Sequence, residues 1–222
     1  MNSFKTRVLP SVLSADFSKL EEEIRSVEAG PLEILHLDVM DGRFVPNLTF
    51  GPFIVKAIDK LSDRILDTHL MVREPAHLVP AFAKAGSDWI TVHVEACEDL
   101  GATLDVIRDA GAKPGIALNP DTPLARVEEY LGEIHLLLLM TVFPGFGGQE
   151  FMAEVVPKIE EAAAIRAKRG YDYLIEVDGG IAPETAGLVT RAGAELLVAG
   201  SAVYNHEDRP AAMRAILDAA GA

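Results

Sequence analysis

The stretch EILHLDVMDG, residues 33–42, reads as a buried strand, yet it carries His36, Asp38 and Met40 at every second position. Side chains two apart on a strand point the same way. An imidazole, a carboxylate and a thioether therefore share one face. A desolvated His and Asp are costly unless paired, hydrogen-bonded or bound to a metal, so this strand is expected to serve chemistry. Working outward, similar short apolar runs recur at VLPSVLSA (8–15), ILDTHLM (65–71), WITVHVE (89–95), PGIALN (114–119), HLLLLMTV (135–142), YLIEVDG (173–179) and ELLVAGSA (195–202). Several are apolar on both faces, as strands buried in a parallel sheet are.

Helix signals lie between the runs. Ser18-Lys19-Leu20-Glu21 predicts a capping box opening a helix to about Ala29. Pro75 predicts a helix start that ends before Gly86, Thr122-Pro123 an N-cap and N1 pair, and Pro183 a further start. The segment from about Phe151 to Lys168 is Ala-rich and charged on one side, and a last helix runs from about Pro210 to Ala220. Eight strand candidates with a helix after each predict an α/β protein of the (β/α)8 TIM-barrel class. The barrel would be a single one over residues 1–222, a length near the roughly 250 residues typical of that fold. An open doubly wound sheet is the alternative; eight regular units with no second domain favour closure.

The net charge of −14 argues against non-specific nucleic-acid binding, which needs a basic footprint. It also argues against a basic phosphate clamp, so an anion site should rely on backbone N–H groups. The single cysteine, Cys97, excludes an intramolecular disulfide and suits a reducing compartment; it reads as a small buried hydrophobe. The N-terminal MNSFKTRVLPSVLSADF has no long apolar segment followed by a cleavage site, and LLLLM (136–140) is too short to span a bilayer. A cytoplasmic protein with no nucleic-acid or membrane partner is expected.

Active sites of such barrels collect at the C-terminal strand ends. There the chain offers Ser11 and Ser14, then His36, Asp38 and Met40, then His69 and Met71, His93 and Glu95, Met140, Asp178, and Ser201. Any one of these histidines alone reads as a satisfied core residue. His36, Asp38, His69 and Asp178 at one end of the barrel shift the balance toward Zn2+ or another borderline divalent ion. Glu176 reads as a buried structural carboxylate, and His93 as either pocket-lining or bonded within the barrel. Three glycine-rich turns, PGFGGQ (144–149), VDGG (177–180) and AGS (199–201), follow the last three strands and suit close approach to a phosphate. No P-loop is present. Met40, Met71 and Met140 read as core packing or as a soft apolar floor beside the metal.

PSVLSADF (10–17), HLDVMDGRFVPN (36–47), HLMV (69–72), ITVHVEA (90–96), ALNPDTP (117–123), MTVFPGFGGQEF (140–151), EVDGGI (176–181) and VAGSAV (198–203) resemble the motifs of the ribulose-phosphate 3-epimerase family, nearly end to end. The resemblance implies that His36, Asp38, His69 and Asp178 bind one divalent metal, zinc first and Fe2+, Mn2+ or Co2+ as other candidates. It implies that Asp38 and Asp178 are the acid–base pair. Ser11, His69, Gly145, Phe146, Gly147, Gly148, Gly179, Gly180, Gly200 and Ser201 would contact a sugar phosphate, and the protein would be a homo-oligomer, dimeric or hexameric. Phe143 departs from the family pattern, where a polar residue is expected. Related decarboxylases on this barrel carry a Lys between two Asp of the second-strand motif; this chain has Val39 and Met40 between Asp38 and Asp41. A 3-epimerase of D-allulose 6-phosphate and a non-catalytic sugar-phosphate binder are the remaining alternatives.

Overall fold

A computed structural model describes residues 5–221; the first four residues of the N-terminal reading, and Ala222, lie outside them. Among the described residues eight strands follow one another: β1 (Arg7–Pro10), β2 (Ile34–Met40), β3 (Ile65–Met71), β4 (Trp89–His93), β5 (Lys113–Leu118), β6 (Leu136–Met140), β7 (Leu174–Asp178) and β8 (Leu196–Ala199). All ladders are parallel, in the order β1-β8-β7-β6-β5-β4-β3-β2. A bridge between Ser11 and His36 joins β1 to β2, so the sheet curls into a nearly closed barrel.

Alternation along each strand sorts the side chains. Leu35, Leu37 and Val39, then Leu66 and Leu70, Ile90 and Val92, Leu137 and Leu139, and Ile175 and Val177 belong to one continuous core with the helices. The helices are α1 (Leu20–Glu28), α2 (Pro52–Asp59), α3 (Val79–Lys84), α4 (Leu100–Asp109), α5 (Val156–Arg169), α6 (Pro183–Ala192), α7 (Ser201–Tyr204) and α8 (Arg209–Ala220). The alternate strand positions form a separate set. Ile34, Trp89, Leu136, Leu174 and Leu196, each the first residue of its strand, pack with Leu9 and Val198 into an apolar plug. Above the plug the same positions turn polar. Register sets His36 opposite Asp67, Asp38 opposite His69, Met40 opposite Met71, and Met140 opposite Asp178.

Three helix expectations change. The capping box at Ser18 does not form: Asp16 accepts from Ser18 N (2.9 Å) and from its hydroxyl (2.6 Å), capping a 3-10 turn at Phe17–Lys19, and α1 starts at Leu20 without a side-chain cap. An ionised carboxylate two residues upstream is the stronger acceptor and also takes up the serine. Thr122 caps no helix, because its hydroxyl donates to Glu95; the chain after β5 makes only 3-10 turns at Leu124–Arg126 and Glu128–Tyr130. The helix expected from Pro75 is split into a 3-10 turn, Pro75–His77, and α3. Helices α2 and α4 follow β2 and β4, in keeping with a helix after each strand, although neither was among the helix starts expected from caps or prolines. No helix among the described residues is long and apolar enough to cross a membrane.

Candidate active site

A cavity of about 740 Å3 opens above the C-terminal strand ends. Ser11, Asp38, Asp178, all of Gly145, Phe146, Gly147 and Gly148, and Gly179, Gly180, Gly200 and Ser201 line it. Met40, Met71 and Met140 line it too, although Met40 and Met71 pack with Val45 while Met140 packs with Ala117, Leu138 and Val142. His36 and His69 do not reach the wall. Both are fully buried, and they back onto the carboxylates from below. The ring of His69, expected to contact substrate, is held between those of His36 (centroids 5.5 Å) and His93 (4.9 Å).

One donor atom each from His36, Asp38, His69 and Asp178 lies within 4.8 Å of the others. Asp38 is the hub. Its Oδ2 accepts from Ser11 Oγ at 2.5 Å, and its Oδ1 lies 3.1 Å from His69 Nδ1 and 3.3 Å from His36 Nε2. Burial alone would raise the Asp38 carboxyl; the adjacent His36 ring first, and then His69, outweigh it and hold Asp38 far below the usual carboxylate range. Asp178, 3.9 Å from His69 Nδ1, goes the other way: burial and the Asp38 charge push it up to about 7. His36 is drawn toward its protonated form by Asp38 and Asp67 despite burial.

A deeper polar tier supports this cluster. His36 Nδ1 lies 2.7 Å from Asp67 Oδ2 and 3.1 Å from Glu176 Oε1. Burial and the Asp67 charge keep Glu176 well above the carboxylate range, as a neutral acid. Asp67, not among the residues expected at the site, sits two before His69 with the same alternation that singles out Asp38. His93 is bonded within the barrel and is not at the cavity: its Nε2 meets His69 Nε2 at 2.8 Å and its Nδ1 lies 3.2 Å from Glu95.

The loops explain several motif residues. Asp41 accepts from the N–H groups of Arg43, Phe44 and Arg73, folding the turn after β2. Asn47 Nδ2 donates to Gly145 O at 2.8 Å, tying that turn to the loop after β6. Gln149 Nε2 donates to Phe143 O (2.7 Å) and Phe146 O (2.9 Å), closing the loop on itself. The Phe143 side chain is exposed and off the cavity wall, so the departure from the family pattern leaves the glycines in place. Gly180 has φ +65°, and a Cβ there would lie 2.6 Å from Phe151 N. Cys97 is partly rather than fully buried, and burial pushes its thiol up to about 11, which makes it unreactive.

Fold and site together define a (β/α)8-barrel enzyme with two imidazoles and two carboxylates converging under a glycine-walled cavity. A family model described as the Ribulose-phosphate 3 epimerase family matches residues 7–204, and the chain belongs to that family. It is 53% identical over 211 residues to Ribulose-phosphate 3-epimerase of Bacillus subtilis (strain 168), covering 95% of this chain and 97% of that protein. It is 47% identical over 211 residues to the chloroplastic Ribulose-5-phosphate-3-epimerase of Arabidopsis thaliana, covering 94% and 75%. Among solved structures, 3-keto-L-gulonate-6-phosphate decarboxylase from Vibrio cholerae superposes with a TM-score of 0.70 at 17% identity, covering 96% of this chain and 98% of that one, a likeness of fold alone. No lysine lines the cavity among the described residues, which sets this site apart from a lysine-dependent decarboxylase.

Proposed function

We propose that the protein is a metal-dependent ribulose-phosphate 3-epimerase that interconverts D-ribulose 5-phosphate and D-xylulose 5-phosphate. The carrying observation is that Asp38 and Asp178 line one cavity, with carboxylate oxygens within 4.8 Å, while their environments drive their proton affinities apart. Groups pushed apart in this way are suited to opposite acid and base roles.

The residues present fit a divalent cation. His36 Nε2 is buried and has no hydrogen-bond partner, although it aims into the cluster. Two imidazole nitrogens with two carboxylates suit Zn2+, with Fe2+, Mn2+ and Co2+ as other candidates. His36 Nε2, His69 Nδ1, Asp38 and Asp178 would hold the ion, which supplies a Lewis-acid charge against the negative oxygen that develops at C2. The remaining chemistry belongs to the side chains. One aspartate removes the C3 proton, leaving a planar 2,3-enediolate, and the other delivers a proton to the opposite face; the reverse reaction exchanges their roles. Ser11 holds Asp38 in register for this. The three methionines keep water from the planar intermediate. Amides of the glycine turns grip the phosphate, whose binding energy positions C3. The same reading carries a homo-oligomer and a cytoplasmic place in pentose phosphate metabolism.

The test is C3 proton exchange followed by NMR in D2O with metal-replete protein, offered D-ribulose 5-phosphate and D-allulose 6-phosphate separately. Deuterium at C3 with formation of xylulose 5-phosphate is the expected result. Faster turnover of the six-carbon substrate would reassign the substrate, and tight binding without exchange would make the protein a sugar-phosphate binder.

A further inference from the structure

His69 has two ring nitrogens, and only Nδ1 faces the donor cluster. Nε2 points away, 2.8 Å from His93 Nε2. The ring centroids are 4.9 Å apart and the planes 29° apart, so the two imidazoles meet edge to edge, nitrogen to nitrogen. Such a contact needs one donor and one acceptor. Both rings are fully buried, so bulk water does not take either role. At the far side of His93, Nδ1 lies 3.2 Å from Glu95 Oε2. The other oxygen of Glu95 accepts from the backbone N–H of Asn119 at 2.8 Å and from the Thr122 hydroxyl.

An ionised Glu95 is acceptor-only, and so is Asp38, whose Oδ1 lies 3.1 Å from His69 Nδ1. Two neutral rings carry two protons for three contacts, so the two carboxylates compete, and the order that satisfies Glu95 is the one that frees His69 Nδ1 for a cation. His93 carries its proton on Nδ1 and donates it to Glu95. His93 Nε2 is then an acceptor, and His69 must donate from Nε2. His69 Nδ1 is left with a free lone pair, aimed at Asp38 and Asp178. We infer that Glu95, acting through His93, is a positioning residue that selects the His69 tautomer able to ligate a divalent cation. The inference rests on the proposed role of His69 as a metal ligand. Glu95 and His93 do not line the cavity, so neither acts on substrate there.

The near-isosteric Glu95→Gln is the informative variant. The N–H of Asn119 can only donate, so it pins the amide oxygen of Gln and turns the amide NH2 toward His93 Nδ1. Every hydrogen bond in the relay then reverses. His93 donates from Nε2, His69 accepts on Nε2, and the His69 proton moves to Nδ1, where it opposes a cation. Glu95→Ala removes the carboxylate without imposing the reversed order. A purely structural role predicts that Ala is the worse change; the relay predicts that Gln is worse for metal and Ala worse for thermal stability. Outer hydrogen-bond partners of metal ligands are worth about 10–100-fold in metal affinity.

Zn2+ affinity of wild type, Glu95→Gln and Glu95→Ala would be measured by chelator competition, and histidine tautomers by long-range 1H–15N NMR on the metal-free proteins. The expected result is His69 protonated on Nε2 in wild type and on Nδ1 in Glu95→Gln, with Zn2+ affinity lowered about 10–100-fold in Glu95→Gln and less in Glu95→Ala. Unchanged tautomers in Glu95→Gln, or Zn2+ bound as tightly as by wild type, would overturn the relay while leaving the metal site standing. Wild type that takes up no divalent ion would instead overturn the metal reading, and the relay with it.

Discussion

Asp178→Asn separates a two-base epimerase from every single-base alternative. The substitution keeps the side-chain volume and leaves an amide that cannot carry the C3 proton. The other titratable residues on the cavity wall are Asp38 and the exposed Glu150, Glu184 and His206. Asp38 accepts from Ser11 at 2.5 Å, so it cannot swing to the opposite face of a bound sugar without breaking that bond. Loss of one general acid–base is worth about 10²–10⁴ in rate, or about 3–5 kcal/mol on the barrier. Interconversion should fall by that factor at saturating Zn2+, with metal content checked, because Asn is also a poorer ligand. Exchange should fall asymmetrically. The epimer whose C3 proton faces Asp38 still exchanges with D2O and returns to itself, whereas the other epimer does not exchange. Asp38→Asn should show the mirror image. Equal exchange of both epimers by Asp178→Asn, or conversion within about tenfold of wild type, would refute the two-carboxylate mechanism.

Other consequences follow from individual contacts. In metal-free protein the Asp178 carboxyl is raised from 3.8 to about 7, so the folded state holds that proton more tightly than the unfolded chain does. Its stabilising contribution is complete below pH 3.8 and is lost as pH rises through 7; urea unfolding of chelated wild type against Asp178→Asn should diverge across that window with wild type losing stability, and a difference of opposite sign would count against the assignment. Gly180→Ala places a Cβ 2.6 Å from Phe151 N at φ +65°, and should lower stability by about 2 kcal/mol, read as a drop in Tm. Asn47→Ala cuts the tie to Gly145 O; KM for the sugar phosphate should rise several-fold, with a stability loss of about 1 kcal/mol and little change in kcat.

The sequence discloses what is local. Strand β3 occupies the residues of its apolar run, and the alternation in HLDVM shows directly that His36, Asp38 and Met40 share a face. What stayed hidden depends on partners distant along the chain. Thr122 looks like a cap, and only the fold shows Glu95, 27 residues earlier, taking its hydroxyl. Asp67 gains its meaning from the β2–β3 register, which sets it opposite His36. His93 could face either the pocket or the barrel interior until Phe44 packs over its ring, with centroids 4.8 Å apart. The missing helix after β5 has the same origin, since Thr122, which would cap it, donates to Glu95 in the turn after β4.

These long-range ties bear on why a barrel tolerates so polar a centre. His36, Asp67, Thr91, His93 and Glu176 are all fully buried. Unpaired, such groups would each cost several kcal/mol. Three features lower that cost. Glu176 takes up a proton in place of a buried charge. Asp67 and Glu95 each face a histidine Nδ1, so much of the buried charge is shared in hydrogen-bonded pairs. Gly115 has no side chain where a Cβ would collide with Thr91, leaving the tier its volume. The residual cost falls on His36 Nε2, Asp67 Oδ1, Thr91 Oγ1 and the two oxygens of Glu176, each buried without a well-aligned partner. Of these atoms only His36 Nε2 belongs to the donor cluster of His36, Asp38, His69 and Asp178, where a bound cation would satisfy it. The aliphatic outer face of the strands, packed on the helices, supplies the stability that lets the interior serve chemistry.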